Sequence, residues 1–479
     1  MIYRPDTRWE VDWDGDGIFP SKPDPNSDIT GDIYNYDTKH GAEIAVDQSS
    51  IRVVGARGQI EVFDRKGKYS SEGPNAFNPD GQRKRQMVRF RVDNITAWQG
   101  LVEPFQPVQV PNDHRRALAR LRGKFHDRLG EQVEFTSIGG NTLSSLLNDA
   151  AVGMLPQSRF NNTPLGVITF TGSVRQFLSQ AMTFEDGYAI ENKFGNYLFY
   201  SARQLTTEGT FLLDKDSYDV FYPLSEQYPR VDGVRNRMET NVRAVAAGNV
   251  ETISTIRQSI SAGDTLTRVV KVDDDSIINV QGWTSPVGLR EPAASISVFL
   301  SHERARQVTV AIRNNTPDSV PVRVGIQGVP YRITELGGFL IQRDASIASY
   351  GVRDATSEQP NWWSYAGESA ANDILNRLDT PLQFARASLP GWQETKAQTD
   401  AIYGIGAGTP IRVNVESEEE GVPDLNLNML VMSVRYVGQL NRMPRVEWDL
   451  LELPTDYSGE TWQLGKVGSG ELGTKTILR

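Results

Sequence analysis

In Val88-Arg89-Phe90-Arg91-Val92 apolar and charged residues alternate one by one, Asp93-Asn94 interrupts them, and Ala97-Trp98-Gln99-Gly100-Leu101-Val102 resumes the apolar pattern. A period of two puts successive side chains on opposite faces of an extended chain, so this stretch reads as two antiparallel strands with one wet face, not as a helix. The pattern recurs at Ile51/Val53 and Ile60/Val62, within an alternating region from Ile44 to Phe63 that ends in the charged turn Asp64-Arg65-Lys66-Gly67-Lys68-Tyr69. It recurs again at the amino terminus, where Trp9, Val11 and Trp13 alternate with polar residues, Asp14-Gly15-Asp16-Gly17 breaks the run, and Ile18-Phe19 resumes it. That order reads as strand, tight turn, strand.

Short runs of this kind need frequent punctuation, and 42 Gly and 25 Pro are dispersed among them. A length of 479 residues gives room for about three domains with ample core. The fold class expected is mainly β with α+β modules, built as several β-barrels or sandwiches. With no Cys, disulfides, thiolate metal sites and a cysteine nucleophile are excluded. A charge of −10, from 50 Lys+Arg against 60 Asp+Glu, disfavours a general nucleic-acid binder. No apolar run has the length that spans a bilayer, and Arg4-Pro5-Asp6 stands where a signal peptide has its apolar core. The expectation is a chain made in a cytoplasm without its own export signal.

Further along, a first barrel or sandwich ends near Phe105, and residues 1–112 form the amino-terminal domain. Residues 113–130 follow as a basic insertion or linker, with His114, Arg115, Arg116, Arg120, Arg122 and Lys124 on a pattern compatible with a helix. A phosphate contact and a salt-bridged or solvated face are the alternatives; the lack of interleaved aromatics favours the second. Residues 131–230 read as an α+β module: a strand at Val133–Ile138, a helix capped at Asn141-Thr142, a second capped at Thr171-Gly172-Ser173, and a hairpin from Tyr188 to Tyr200 turning at Phe194-Gly195-Asn196. Residues 231–341 return to short strands, at 242–246, 266–272, 296–300, 308–312, 320–325 and 330–334. Residues 342–454 add a helix over Glu368–Asp379, stopped by Pro381, and strands at 410–415, 430–437 and 445–453. Residues 455–479 are Gly-rich and read as an extended arm that needs a neighbour to order it.

Chemistry-bearing motifs are sparse. Asp12, Asp14, Asp16 and Gly17 fit the first half of an EF-hand loop, but Pro23 stands where the bidentate Glu belongs. A solvated hairpin tip is favoured, and calcium at Asp12, Asp14 and Asp16 is kept as the lesser alternative. Asp273-Asp274-Asp275 reads as a turn, because neighbouring strand residues face opposite ways. His40, His114, His126 and His302 form no close metal pair, and no nucleophile elbow, P-loop or dinucleotide fingerprint is present. Numerous carboxylates leave a glycosidase-type pair open without pointing to one. Trp362 and Trp363, near Tyr365, suit a subunit contact or core, with an adhesin surface as the alternative.

Four separated motifs carry a resemblance. Val11-Asp12-Trp13-Asp14-Gly15-Asp16-Gly17-Ile18-Phe19 resembles an amino-terminal "D-W-x-x-D-G-x-F". Gly58 to Ser70 is similar to a glycine-led strand ending "D-N-x-D-G-R-Y-S", with Arg65 and Lys66 replacing the usual pair. Ser346-Ile347-Ala348-Ser349-Tyr350-Gly351-Val352-Arg353 looks like "S-I-x-x-Y-G-x-R", and Trp462-Gln463-Leu464-Gly465 with Leu472–Leu478 resembles a closing "W-x-L-G-x-x-x-L-G-x-x-T-x-L". In this order the motifs resemble those of the siphophage tail-tip or baseplate hub family, the minor tail proteins related to the central hub of contractile tails. The resemblance implies a non-enzymatic, homotrimeric virion protein at the tail tip, assembled in the host cytoplasm without cofactors. It would join the distal tail ring above and fibre or receptor-binding proteins below, around a channel for the tape-measure protein and passing DNA. Trp362, Trp363, Trp462 and Leu464 are then interface candidates. A tail-associated cell-wall-degrading enzyme and a receptor-binding adhesin are the alternative readings.

Overall fold

A computed structural model describes residues 2–13, 19, 27–44, 51–69, 86–108, 115–138, 142–150, 154, 167–185, 187–201, 211–213, 220–223, 234–271, 276–284, 296–304, 307–355, 372, 374–376, 378–380, 384–415, 425–439 and 442–453. Asp14, Asp16, Asp273–Asp275, Trp362, Trp363, Tyr365, and the 455–479 segment with Trp462 and Leu464 lie outside these residues.

The fold is mainly β, in several sheets, as the alternation implies. The largest sheet runs in the order Thr7–Val11, Gln86–Val92, Ile95–Val102, Arg116–Arg122, Arg57–Phe63, Ile33–Gly41, Leu425–Gln439, Arg445–Glu452, Phe384–Pro390, Val220–Pro223. Pro410–Val415 also pairs with Leu425–Gln439. Strands from the two ends of the chain thus meet in one sheet, where Ile33–Gly41 lies antiparallel to Leu425–Gln439. One core follows from this: Trp9, Val11, Phe90 and Trp98 pack in the same cluster as Ile402, Tyr403, Tyr436 and Trp448. Trp9 stacks on Phe90 at 4.8 Å, and Tyr403 stacks on Tyr436 at 5.7 Å. Each such fully buried aromatic contributes on the order of 3 kcal/mol.

The amino-terminal strand has two partners from elsewhere in the chain, and the expected turn and mate, residues 14–18, lie outside the described residues. Thr7–Val11 pairs with Gln86–Val92 on one side, and its other edge meets Ser27–Ile29, through Val11 N–H to Ser27 O and Ile29 N–H to Trp9 O at 2.9 Å each. A distant partner wins because Trp9, Val11, Phe90 and Val92 then share the core. Phe19 instead lies 4.3 Å beneath the guanidinium of Arg89.

The basic segment is likewise corrected. Arg116–Arg122 is a strand paired with Arg57–Phe63, not a helix, insertion or linker. Arg116, Arg120 and Arg122 alternate with buried Ala117, Ala119 and Leu121, which is a strand period. Its cations meet acids of this chain: Arg115 with Asp64 at 2.7 Å, Arg116 with Glu61 at 3.3 Å and Arg122 with Glu103 at 2.6 Å.

The α+β elements fall near their expected places. Gln132–Ile138 pairs with Val167–Ser173, helices cover Leu143–Ala150 and Val174–Glu185, and Gly187–Glu191 pairs with Tyr197–Ser201. Thr142 and Ser173 cap the two helices, the second reciprocally with Gln176.

Between 237 and 342 the short strands merge. Val320–Gln342 is a single strand of 23 residues, roughly 75 Å long at the usual rise. Pro330 does not end it, because the opposing edge itself breaks there, between Arg237–Ala247 and Glu251–Ile260. These segments make a long ribbon whose far half, with Thr265–Lys271, Ile296–Arg304 and Gln307–Asn314, encloses a separate core around Val310, Ile312, Val324 and Ile326.

The ribbon's root is pinned by buried Asn236. Its Nδ2 donates to Ser346 Oγ at 3.2 Å and Gly351 O at 2.8 Å, and its Oδ1 accepts from Arg353 N–H at 2.8 Å. Helix Asp344–Tyr350 therefore turns back onto the ribbon. Arg343 reaches Asn372 and Asn376 of the helical residues 372, 374–376 and 378, whose Ile374, Leu375 and Leu378 are buried at the expected spacing.

Candidate interface: a charged groove on the central sheet

On the outer face of the central sheet, every second residue of the middle strands points to solvent, and the register decides which of them meet. Arg57, Lys39, Arg435, Glu447 and Ser388 stand side by side across five strands. The next row is Gly41, Ser433, Asp449 and Arg386. Of these, Arg57, Lys39, Arg435, Glu447, Asp449 and Arg386, with Asp37, Gly58 and Gln59, line an open groove of about 470 Å³.

Each carboxylate there is held by a cation. Arg435 grips Asp37 through two nitrogens, at 2.8 and 2.7 Å, and reaches Glu447 at 3.0 Å. Asp449 takes Lys39 at 2.7 Å, Arg386 at 2.8 Å and the Ser433 hydroxyl at 2.6 Å. Burial opposes ionisation of Asp449, but Lys39, Ser433 and Arg386 outweigh it and hold its carboxyl below the usual range. The hydrogen bonds from Arg435 to Asp37, aided by Glu447, raise the guanidinium further. Bidentate pairs of this kind fix the sheet's register and leave the groove able to meet a polar, mixed-charge partner.

The opposite face of the same strands is apolar. Thr38, His40, Tyr436 and Trp448 are buried directly behind the groove. His40 lies 6.0 Å from the Tyr436 ring with neither ring nitrogen hydrogen-bonded to protein. Burial, with Lys193 nearby, pushes His40 down to about 3, so it is neutral at pH 7.

Apart from Gly58 and Gln59 of the glycine-led motif, no groove residue stands out in the sequence, because they are scattered over strands whose register alone assembles them. The described site candidate, Asp12, is buried and bonds through its N–H to Met87 O, so it is not a solvated tip. Among the described residues no group of three or more His, Asp or Glu is placed to hold a metal. No described helix is long and apolar enough to cross a membrane.

The glycine-led motif has a structural cause. A β-carbon on Gly58 would lie 2.4 Å from Asp37 O and 2.8 Å from Thr38 Cα, so only glycine lets these strands approach. At the motif's end, Asp64 accepts the Tyr69 N–H at 2.8 Å and faces Arg115, while the Tyr69 hydroxyl donates to Asp32 at 2.7 Å.

No protein-family model and no curated protein matches this chain. Among solved structures, the chain is similar to the 43 kDa tail protein of prophage MuSo2 from Shewanella oneidensis, at 11% identity and TM-score 0.46 over 95% of this chain and 100% of that one. It is similar to the tail protein from Neisseria meningitidis MC58 at 9% identity and TM-score 0.45, over 94% and 97% of the two chains. The E. coli c3393 protein, described as a type VI secretion component resembling T4 tail proteins gp27 and gp5, aligns at 8% identity and TM-score 0.36, over 95% and 79%.

Proposed function

We propose that this chain is a structural subunit of a phage tail tip, a hub that builds a ring around the channel and carries no catalytic site. The observation that carries the reading is the seating of two hub-like motifs at structural joints. Gly58 to Tyr69 fastens the centre of the large sheet, and Ser346 to Arg353 fastens the root of the long ribbon. A sheet sewn from both ends of the chain is a rigid frame, as a subunit under load in a ring requires.

In this reading the protein is a homotrimer in the virion. It contacts the distal tail ring, the tape-measure protein and fibre or receptor-binding proteins, and DNA passes without specific binding. A net charge of −10 supports such passage, because it repels phosphates. Light scattering on the purified full chain tests the assembly: three times the chain mass is expected, and a monomer at high concentration contradicts it.

A further inference from the structure

The hairpin Gly187–Glu191/Tyr197–Ser201 joins two cores. Tyr188 and Ile190 pack with Leu430, Met432 and Leu451 of the central sheet, whereas Ala189, Tyr197 and Phe199 pack with Phe177 and Leu178 of the α+β helix. At the end of its first strand, Glu191 is fully buried. Its Oε2 accepts the Ala56 N–H and, at 3.4 Å, the Tyr197 hydroxyl. That hydroxyl also lies 3.2 Å from Val54 O, so its one proton is shared between two acceptors. Among the described residues Oε1 has no hydrogen-bond partner, and it faces Gly123, where a β-carbon would sit 2.4 Å away. The carboxyl thus fills a pocket left by a glycine, between Val54–Ala56 and Gly123, the segments that flank two strands of the central sheet.

The charged and titratable groups around it do not neutralise a carboxylate. His126, from the turn after Arg116–Arg122, has Nδ1 3.3 Å from the β-carbon position of Gly55. Lys193 on the hairpin turn is tied to the carbonyls of Tyr403 and Gly404, at 3.3 and 2.8 Å. Arg175 acts on Tyr197, and His40, beyond Gly55, is neutral. None forms an ion pair with Glu191. An ionised Glu191 would therefore exchange full hydration for one amide and one shared hydroxyl, whereas the acid form carries no charge to desolvate.

We propose that Glu191 is a protonated latch, which as the neutral acid seats the hairpin on the central sheet and on losing its proton to solvent base releases that seam. Burial pushes its carboxyl up to about 8, against the opposing pull of the Ala56 amide and the Tyr197 hydroxyl. The closed seam keeps the proton up to about 8, whereas the exposed carboxyl of the open form loses it in the ordinary range, so rising pH favours opening up to about 8 and adds nothing beyond. The inference stands independently of the tail-tip reading.

Hydrogen exchange on the full chain from pH 6 to 10, corrected for intrinsic base catalysis, tests it at Ala56 and residues 187–201, with residues 251–260 as the internal reference. In the unaltered chain the opening constant should rise by up to about tenfold per pH unit from pH 6 to about 8, where the opened carboxyl has lost its proton and the closed one keeps it, and should level off above about 8. E191Q, neutral at every pH, should show no rise. Y197F, which removes a hydroxyl that favours the charged form, should move the levelling-off to higher pH. A level profile in the unaltered chain overturns the proposal. So does a rise that persists in E191Q or, if that variant fails to fold, one whose levelling-off does not move in Y197F.

Discussion

The ammonium of Lys39 lies 2.7 Å from Asp449 Oδ2, linking residues 410 positions apart in the chain. The same carboxylate receives Arg386 and Ser433, so one side chain holds the strands Ile33–Gly41, Phe384–Pro390 and Leu425–Gln439 against its own. The frame formed by the two ends of the chain has this residue near its centre.

Asp449→Ala leaves two cations facing each other without their anion. It should lower the unfolding free energy by about 2 kcal/mol, less than a fully buried pair would lose, because Lys39 and Arg386 keep part of their water. Urea denaturation measures this. Asp6→Ala, which removes the exposed pair with Arg8, should change little in the same assay.

His40 gives a pH dependence of definite sign. The unfolded chain takes up a proton on this residue below about 6.5, whereas the folded chain resists until about 3. The unfolded state therefore binds more protons between those values, and stability falls as pH falls through the window. The contribution is at most about 1.4 kcal/mol per pH unit. His40→Leu should flatten the acid limb of the urea midpoint profile; an unchanged limb would place the dependence elsewhere.

Gly58→Ala puts a methyl group against the backbone of Asp37 and Thr38, which cannot rotate away. A loss of about 2 to 3 kcal/mol is expected, in the range of overpacked cores, read as a lower urea midpoint. An alanine tolerated without loss would show that the two strands are less closely apposed.

Asn236→Ala removes the amide that ties Ser346, Gly351 and Arg353 together. Exchange of amides in residues 344–353 should quicken by roughly 30-fold, the equivalent of about 2 kcal/mol for buried groups left unpaired. Exchange in the core around Val310 and Ile312 should stay the same, since that cluster is separate.

What could be read from sequence was local. Alternation gave Gln86–Val92 and Ile95–Val102, and apolar spacing gave the Val174–Glu185 helix. Partners were not legible: the mate of Trp9 and Val11 is far along the chain, and the groove exists only because register brings positions 37, 39, 386, 435 and 449 together. In the basic segment the strand period is present in the sequence. Ala117, Ala119 and Leu121 are buried at every second position, with Arg116, Arg120 and Arg122 on the other face, a strand period that a cluster of basic residues overlays. In the ribbon, the separate strands expected at 320–325 and 330–334 are one strand, Val320–Gln342, because Pro330 sits at a break in the opposing edge that sequence does not display.

The central claim, that this frame is a hub subunit of a tail tip, is tested most directly by electron cryomicroscopy of intact tails containing the chain. The account predicts three copies in a ring at the tip, with the channel passing through it. Density for the chain elsewhere in the virion, or a tail tip assembled without it, would contradict the account.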